Sequence, residues 1–270
     1  MSSLKIGVAL WSFGPTATEE QLAQRLDTAA ELGLKGVQPW CVDFGPDYVC
    51  VLDPERCTGA KREAARQMIE SRGLTATGFC AQLAGPSGLG GLNDEDGLDE
   101  RVTKTKKSLE LAVDLGGPLV TTHPGAIPAD RADRKYQILL RAIGEIATHA
   151  ERVGAFFCIE TGQEAAETLR QFIEDIGSPG LKVNYDPANM LRWGTVEGVP
   201  VLAPWIVHTH AKDRDPETGC PTVGKGAVPW DEYLAALRAI GYDGWFALED
   251  ESGQDVVASI KAGKEFLERY

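Results

Sequence analysis

Gly33-Leu34-Lys35-Gly36-Val37-Gln38-Pro39-Trp40 carries the end of one helical pattern directly into a short apolar run. A glycine that closes a helix just ahead of a strand marks a helix-to-strand connection. The same junction recurs along the chain. Gly73 precedes an apolar run at 74–80, Gly116 one at 118–123, Gly154 one at 156–160, Gly177 one at 181–186 and Gly241 one at 245–249. With the runs at 5–11, 36–40 and 206–211, the chain holds eight segments of strand length.

Helical periodicity fills most of the intervals, predicting helices at 18–32, 58–72, 99–115, 130–153, 165–176, 230–240 and 254–269. Thr18 supplies N-capping character to the first of them. The interval 191–203 holds Gly194, Gly198 and Pro200 and predicts an irregular connection. Strands alternating with helices predict a parallel sheet, and eight such units in this length predict an α/β fold, a (β/α)8 TIM barrel. An open doubly wound sheet is the alternative. Ser12-Phe13-Gly14-Pro15 after the first strand lacks the glycine-rich phosphate fingerprint that such a dinucleotide domain would carry.

No linker-like break in composition interrupts the 270 residues, so 1–270 reads as one domain. Lys and Arg number 27 against 40 Asp and Glu, a formal charge of −13 with no basic cluster, which excludes a nucleic-acid partner. No apolar run reaches membrane-spanning length, and the N-terminus lacks a basic segment followed by a long apolar one. The expectation is a cytoplasmic protein with no membrane partner; whether it forms a homo-oligomer stays open. The six cysteines include no C-x-x-C pair and read as reduced thiols.

Ile206-Val207-His208-Thr209-His210-Ala211-Lys212-Asp213 places two imidazoles on one face of a strand, because alternate side chains share a face. They read either as a hydrogen-bonded buried pair or as part of a metal site. The ends of the last four strands bear on that choice: Glu160, Asp186, His210 and Glu249 each close an apolar run. At the mouth of a barrel, three carboxylates and an imidazole would converge there, and a divalent cation would relieve their mutual repulsion. The oxygen-rich set suits one divalent metal ion, Mn²⁺ first, with Mg²⁺, Co²⁺ or Zn²⁺ as alternatives. Two long connections, 41–57 and 82–96, follow strands and are candidate lids over the same mouth.

The motifs Glu160-Thr161-Gly162-Gln163-Glu164, Asn184-Tyr185-Asp186-Pro187-Ala188-Asn189, His208-Thr209-His210-Ala211-Lys212-Asp213 and Gly224-Lys225-Gly226, with Gly241-Tyr242-Asp243-Gly244 leading to Glu249, resemble the xylose isomerase-like barrels of the sugar phosphate isomerase/epimerase family. The resemblance covers nearly the whole chain and is nearest to members similar to D-tagatose 3-epimerase. It implies that Glu160, Asp186, His210 and Glu249 hold the metal, leaving His208 for the substrate or for support of the site. Asn189 stands where those epimerases carry a substrate-binding histidine, and Lys212-Asp213 where they carry Gly-Glu. The more distant likeness to endonuclease IV is limited to His123-Pro124-Gly125; the further ligands of its metal cluster are missing, which implies one metal and no DNA substrate.

The resemblance further implies a sugar, sugar phosphate or keto-sugar substrate and the catalytic pair Glu160 and Glu249, moving a proton next to a carbonyl through an enediolate. Candidate substrate contacts are His208, Lys212, His123, Asn189, Trp11 and Trp40. Lys212 could instead pair with Asp213 or Asp186, and Lys182 and Asn184 should form a polar layer inside the barrel. Isomerisation and epimerisation both fit. A metal-dependent lyase or dehydratase acting on a keto-sugar or cyclic polyol ketone, and a sugar-binding barrel without catalysis, are the other readings.

Overall fold

A computed structural model describes residues 3–43, 48–84, 88–253 and 255–270. Residues 44–47 and 85–87, parts of the two candidate lids, lie outside the described residues, as does Gln254 at the start of the last predicted helix. Nine parallel strands run β1 (Lys5–Ala9), β2 (Gly36–Gln38), β3 (Thr75–Ala76), β4 (Phe79–Cys80), β5 (Leu119–Thr122), β6 (Phe156–Glu160), β7 (Leu181–Tyr185), β8 (Ile206–Ala211) and β9 (Trp245–Leu248). Their order in the sheet is β3-β2-β1-β9-β8-β7-β6-β5-β4. Since β3 and β4 are consecutive in the chain, the two ends of the sheet are halves of one broken stave, and the fold is a (β/α)8 barrel.

The break has a local cause. Gly78 sits at φ +152°, and a Cβ on it would lie 2.6 Å from Leu119 Cδ2, so β5 presses against the chain where it bends. Above the bend, β4 pairs with β5 on one side, while a bridge between Trp40 and Cys80 reaches the second stave on the other. Cys80 N–H donates to Pro39 O and Cys41 N–H to Cys80 O, each at 2.9 Å, and these bonds close the ring.

The surrounding helices are α1 (Glu19–Glu31), α2 (Ala60–Glu70), α3 (Leu98–Asp114), α4 (Arg134–Val153), α5 (Ala166–Ile176), α6 (Gly198–Leu202), α7 (Trp230–Ala239) and α8 (Val256–Leu267). Each turns an apolar stripe onto the sheet: Leu22, Leu26 and Ala29 of α1, and Leu139, Ile143, Ile146 and Ala150 of α4, recur every third or fourth residue and are buried. Thr18 caps α1 as predicted, its hydroxyl accepting from Gln21 N–H at 3.2 Å. The irregular connection at 191–203 yields only the short α6. The first strand ends at Ala9, earlier than predicted, and a 3-10 turn over Leu10–Phe13 swings Trp11 across the mouth. No helix among the described residues is long and apolar enough to cross a membrane.

Inside the barrel, Gln38, Thr77, Thr121, Asn184, His208 and His210 are all buried and form a polar layer. Asn184 joins it as expected. Lys182 does not: at the opposite end of β7 its ammonium lies 5.8 Å from the centre of the Phe156 ring, which is itself partly exposed.

The interior at the foot of β2 has no spare room. A Cβ on Gly36 would meet Thr77 Cγ2 at 2.4 Å and Trp245 Cζ3 at 2.7 Å, whereas one on Gly144 in α4 would meet nothing within 4 Å. Gly36→Ala should therefore cost about 1–3 kcal/mol through overpacking. Gly144→Ala should add about 0.5–1 kcal/mol by restricting the unfolded chain within a helix. Thermal melts of the two variants moving in opposite directions are the expected result; a Gly36→Ala melting temperature at or above the wild-type value contradicts this packing.

Candidate functional site

Parallel strands bring all their C-terminal ends to one mouth, and there the last residue of β6, the residue after β7, a residue of β8 and the residue after β9 meet. Glu160, Asp186, His210 and Glu249 each offer one ligand-type atom, all within 4.8 Å of one another, and all four residues are buried. His210 Nδ1 is the common neighbour, 3.2 Å from Glu160 Oε1, 3.3 Å from Glu249 Oε2 and 3.8 Å from Asp186 Oδ2. Asp186 Oδ1 accepts the backbone N–H of Asn189 at 2.9 Å, while its buried Oδ2 accepts no hydrogen bond.

The charges around this centre keep both glutamates ionised against the cost of burial. Burial works to raise Glu160, yet His123 and His210 hold it well below the usual carboxylate range. Burial likewise works against Glu249, but Lys212 and His210 bring it down to about 2. Burial works to lower His210, and the surrounding carboxylates, Glu160 first, override it and raise the imidazole well above its ordinary value. Three acids, one of them with an unpartnered oxygen, gathered round a single ring nitrogen are a donor set that a divalent cation fits.

The remaining bonds of His210 fix which nitrogen faces the acids. Its Nε2 lies 2.9 Å from Gln38 Oε1, and Gln38 Nε2 donates to Thr121 Oγ1 at 3.0 Å, so the amide presents its oxygen to the ring. The Nε2–H then points at Gln38 and Nδ1 faces the acids, so the ring is oriented for that nitrogen to take a cation in place of its proton. Asn184 Nδ2 touches the same Nε2 at 3.2 Å, and its Oδ1 accepts from His208 Nδ1 at 2.8 Å.

Of the candidate substrate residues, some face the mouth and some do not. His123 Nε2 lies 3.3 Å from Glu160 Oε1; burial acts to lower its pKa, but Glu160 prevails and raises it to about 8. Asn189 reaches two of the acids, its amide donating to Glu160 Oε1 at 3.3 Å and its backbone to Asp186. It can do so because Gly162, at φ +121°, has no Cβ: one built there would sit 2.2 Å from Asn189 Cβ. Trp11 Nε1 donates to Glu249 Oε1 at 2.9 Å, and its ring meets those of Trp40 and His210 edge-on, with centroids 5.6 Å and 5.8 Å away.

His208 is enclosed below the mouth at 1% exposure, with Nδ1 on Asn184 and Nε2 3.1 Å from Thr77 Oγ1, so both nitrogens are engaged by protein. Burial, and then His210, bring it down to about 3, which keeps it neutral. The structure thus places His208 beside Asn184, below the mouth. Lys212 is buried too, but its partners are neither Asp213 nor Asp186: Nζ lies 3.2 Å from Glu249 Oε2 and 2.8 Å from Glu251 Oε1. Asp213 is occupied elsewhere, accepting from Gly224 N–H, Val228 N–H and Trp230 Nε1–H and so fastening the loop ahead of α7.

Two features are absent from the sequence reading. Glu164 is buried and accepts the Ile127 N–H at 3.1 Å, with burial raising its pKa to about 7. Beside Asn189 opens a cavity of about 520 Å³, lined by Gly162, Ala188, Leu191, Arg192, Arg214 and Pro216. The glutamate stands in a quoted motif, so its place by the mouth was legible; the cavity joins arginines too far apart in the chain for any local pattern to pair.

Fold and centre together define a barrel with a buried carboxylate–imidazole cluster at the C-terminal ends of its strands. The model of the xylose isomerase-like TIM barrel family matches residues 26–270, and the chain belongs to that family. Among its relatives, 2-epi-5-epi-valiolone 7-phosphate 2-epimerase of an Actinoplanes species is 25% identical over 239 residues, covering 87% of this chain and 82% of the relative. An uncharacterized protein of Methanocaldococcus jannaschii is 28% identical, over 63% of this chain and 65% of its own length. Among solved structures, a xylose isomerase domain protein from Planctomyces limnophilus superposes with a TM-score of 0.79 at 25% identity, over 98% of this chain and 94% of that one.

Two outcomes follow from these contacts. Gln38→Leu leaves the buried His210 Nε2–H facing no acceptor on that side, at a cost of about 1–3 kcal/mol. With the orienting partner gone, the Mn²⁺ dissociation constant should rise about 10- to 100-fold by calorimetry; an unchanged value would mean that Gln38 does not set the orientation of the ring. For Glu164, the folded state holds its proton to higher pH than the unfolded one, so its contribution to stability falls as pH rises from the usual glutamate range to about 7. Glu164→Gln should remove that fall, seen as melting temperatures that converge with wild type near pH 5 and exceed it at pH 7.5.

Proposed function

We propose that the protein is a divalent-metal-dependent sugar isomerase or epimerase that works by proton transfer next to a carbonyl. The observation that carries this reading is the convergence of Glu160 and Glu249, from different strands, on one imidazole nitrogen, at 3.2 Å and 3.3 Å. The ion fits Glu160, Asp186, His210 and Glu249, with Mn²⁺ favoured by the oxygen-rich set and Mg²⁺, Co²⁺ and Zn²⁺ compatible with it. Bound there, it would polarise the substrate carbonyl and its neighbouring hydroxyl and make the adjacent C–H more acidic. The epimerase activity in the name of the Actinoplanes relative supports the same class of reaction.

The chain's own groups supply the rest. Both glutamates are held ionised and so are free to accept a proton, but the positive groups that hold them so also weaken them as bases, and the acidity of the C–H has to come from polarisation of the carbonyl. One takes the proton from the carbon next to the carbonyl, and for epimerisation the other, having taken up a proton from solvent, returns it to the opposite face while the first releases its proton to solvent. For isomerisation, one residue returns it to the adjacent carbon. Trp11 pins Glu249 Oε1, and Lys212 balances the charge of Oε2, so this glutamate keeps its position while its proton comes and goes. His123 and Asn189 hold Glu160 in the same way and border the space where the sugar hydroxyls would lie. Substrate contact by Trp40 belongs to this reading as an apolar wall for the sugar C–H face.

Ketoses, their phosphates, keto-glycosides and cyclic keto-polyols incubated with Mn²⁺-loaded protein in D₂O test the proposal. Deuterium should enter the carbon next to the carbonyl of the true substrate. Glu160→Gln and Glu249→Gln should each lower net conversion by about 10²- to 10⁴-fold, the range general acid–base groups supply. Metal content is measured alongside, because both are ligands in this reading. Asp186→Ala should lose the ion, and His149→Ala, whose ring faces Glu110 on the outer helices, should not. Turnover that carries the original hydrogen along, with no solvent deuterium, points to a hydride shift and overturns the proton-transfer mechanism.

A further inference from the structure

The cavity of about 520 Å³ is lined by Asn189, the residue that touches both Glu160 and Asp186, and by Arg192 and Arg214. A substrate whose reacting carbon sits at the centre and whose chain passes Asn189 would bring its far end to these two arginines. Arg192 is held in place: one amino group donates to Gly162 O at 2.7 Å, and the guanidinium lies over the Trp193 ring at 5.0 Å. Trp193 is fixed in turn, its Nε1 donating to the same carbonyl at 3.1 Å. A guanidinium carries five N–H donors, so most of those on Arg192 are left for another acceptor.

Arg214 comes from the other side. Its backbone is anchored by N–H to Asp213 Oδ1 at 2.9 Å and by its carbonyl accepting from Ala227 N–H at 2.8 Å. Neither arginine forms an ion pair among the described residues. Arg170 on α5, by contrast, is paired with Glu167 and Glu174. In a chain of formal charge −13, two uncompensated guanidiniums at the rim of one cavity concentrate positive potential where the overall field is repulsive to anions.

We infer that this cavity is an anion seat and that the substrate carries an oxyanion, a phosphate ester or a carboxylate, at the end remote from its carbonyl. The planar, multi-donor geometry of arginine matches both groups. The inference deepens the proposed isomerase or epimerase reaction and rests on it for the orientation of the substrate, but the seat itself is a binding site that can be measured without turnover.

D-fructose, D-fructose 6-phosphate and D-fructuronate form a matched set with the same ketone and a neutral, phosphate or carboxylate end. Calorimetry with Mn²⁺-loaded protein should show one or both of the charged members binding at least tenfold more tightly than D-fructose, and which of them leads identifies the oxyanion. In the Arg192→Ala/Arg214→Ala double variant that preference should fall to within twofold, while Mn²⁺ affinity, which reports on the folded centre, stays at the wild-type value. Inorganic phosphate is titrated into metal-free protein as a direct probe, so that coordination to the ion plays no part; it should bind the wild type and not the double variant. Equal binding of the three compounds, binding of none of them or of phosphate, or a preference that survives in the double variant overturns the inference. Deuterium exchange is read separately: its absence with arginine-dependent anion binding intact defeats the proposed reaction and leaves the seat standing.

Discussion

Burying three carboxylates within reach of one imidazole is the constraint that shapes the upper half of this barrel. Each acid has been given a donor of its own: Asn189 and His123 for Glu160, the Asn189 backbone for Asp186, Trp11 and Lys212 for Glu249. Without such partners, a buried carboxylate is costly to keep charged, and a cluster of them could not be held together. The donors come from parts of the chain far apart in sequence, so the centre also ties the first stave, the fourth to the eighth and the loops above them into one rigid rim.

Below the rim, the same requirement continues downward. His210 needs Gln38, Gln38 needs Thr121, Asn184 needs His208, and His208 needs Thr77. A polar layer in the middle of a barrel is costly unless every member is satisfied, and here the chain of partners runs from β8 across to β2, β5 and the bend beside Gly78. The lower barrel returns to apolar packing and close glycine contacts, as at Gly36. The division of labour follows the usual polarity of parallel barrels, in which stability resides at the foot of the strands and chemistry at their C-terminal ends.

Most of this architecture was legible in the sequence because it is periodic. Recurring glycine junctions disclosed the staves, and strand parity put His208 and His210 on one inner face. A ligand-type residue ending each of the last four staves announced the cluster. What escaped depends on contacts between distant segments. The division of the third stave follows from pressure by Leu119 on Gly78, which no pattern within 74–80 reveals. Parity shows that His208 points inward but not how deep it lies, and depth removes it from the mouth. Lys212 turned out to answer Glu249 and Glu251 because those acids follow β9, the strand paired with its own, and are not beside it in the chain. Gln38 was visible as an inward polar residue, yet its task depends on an imidazole 172 positions away.

Gly162 has a further consequence. Its missing side chain admits Asn189 against the acids, and its carbonyl gathers Arg192 and Trp193, so one peptide unit forms the floor between the cluster and the arginine-lined cavity. The separation between the reacting carbon and the anion is then fixed by main chain, as on a ruler whose two marks are cut in the same piece. Exchanging the arginines alters which charge is welcome at the far mark without moving the mark itself. Discrimination by substrate length and discrimination by substrate charge thereby become separable properties, the first held by the backbone of the loop after β6 and the second by side chains that evolution can replace singly.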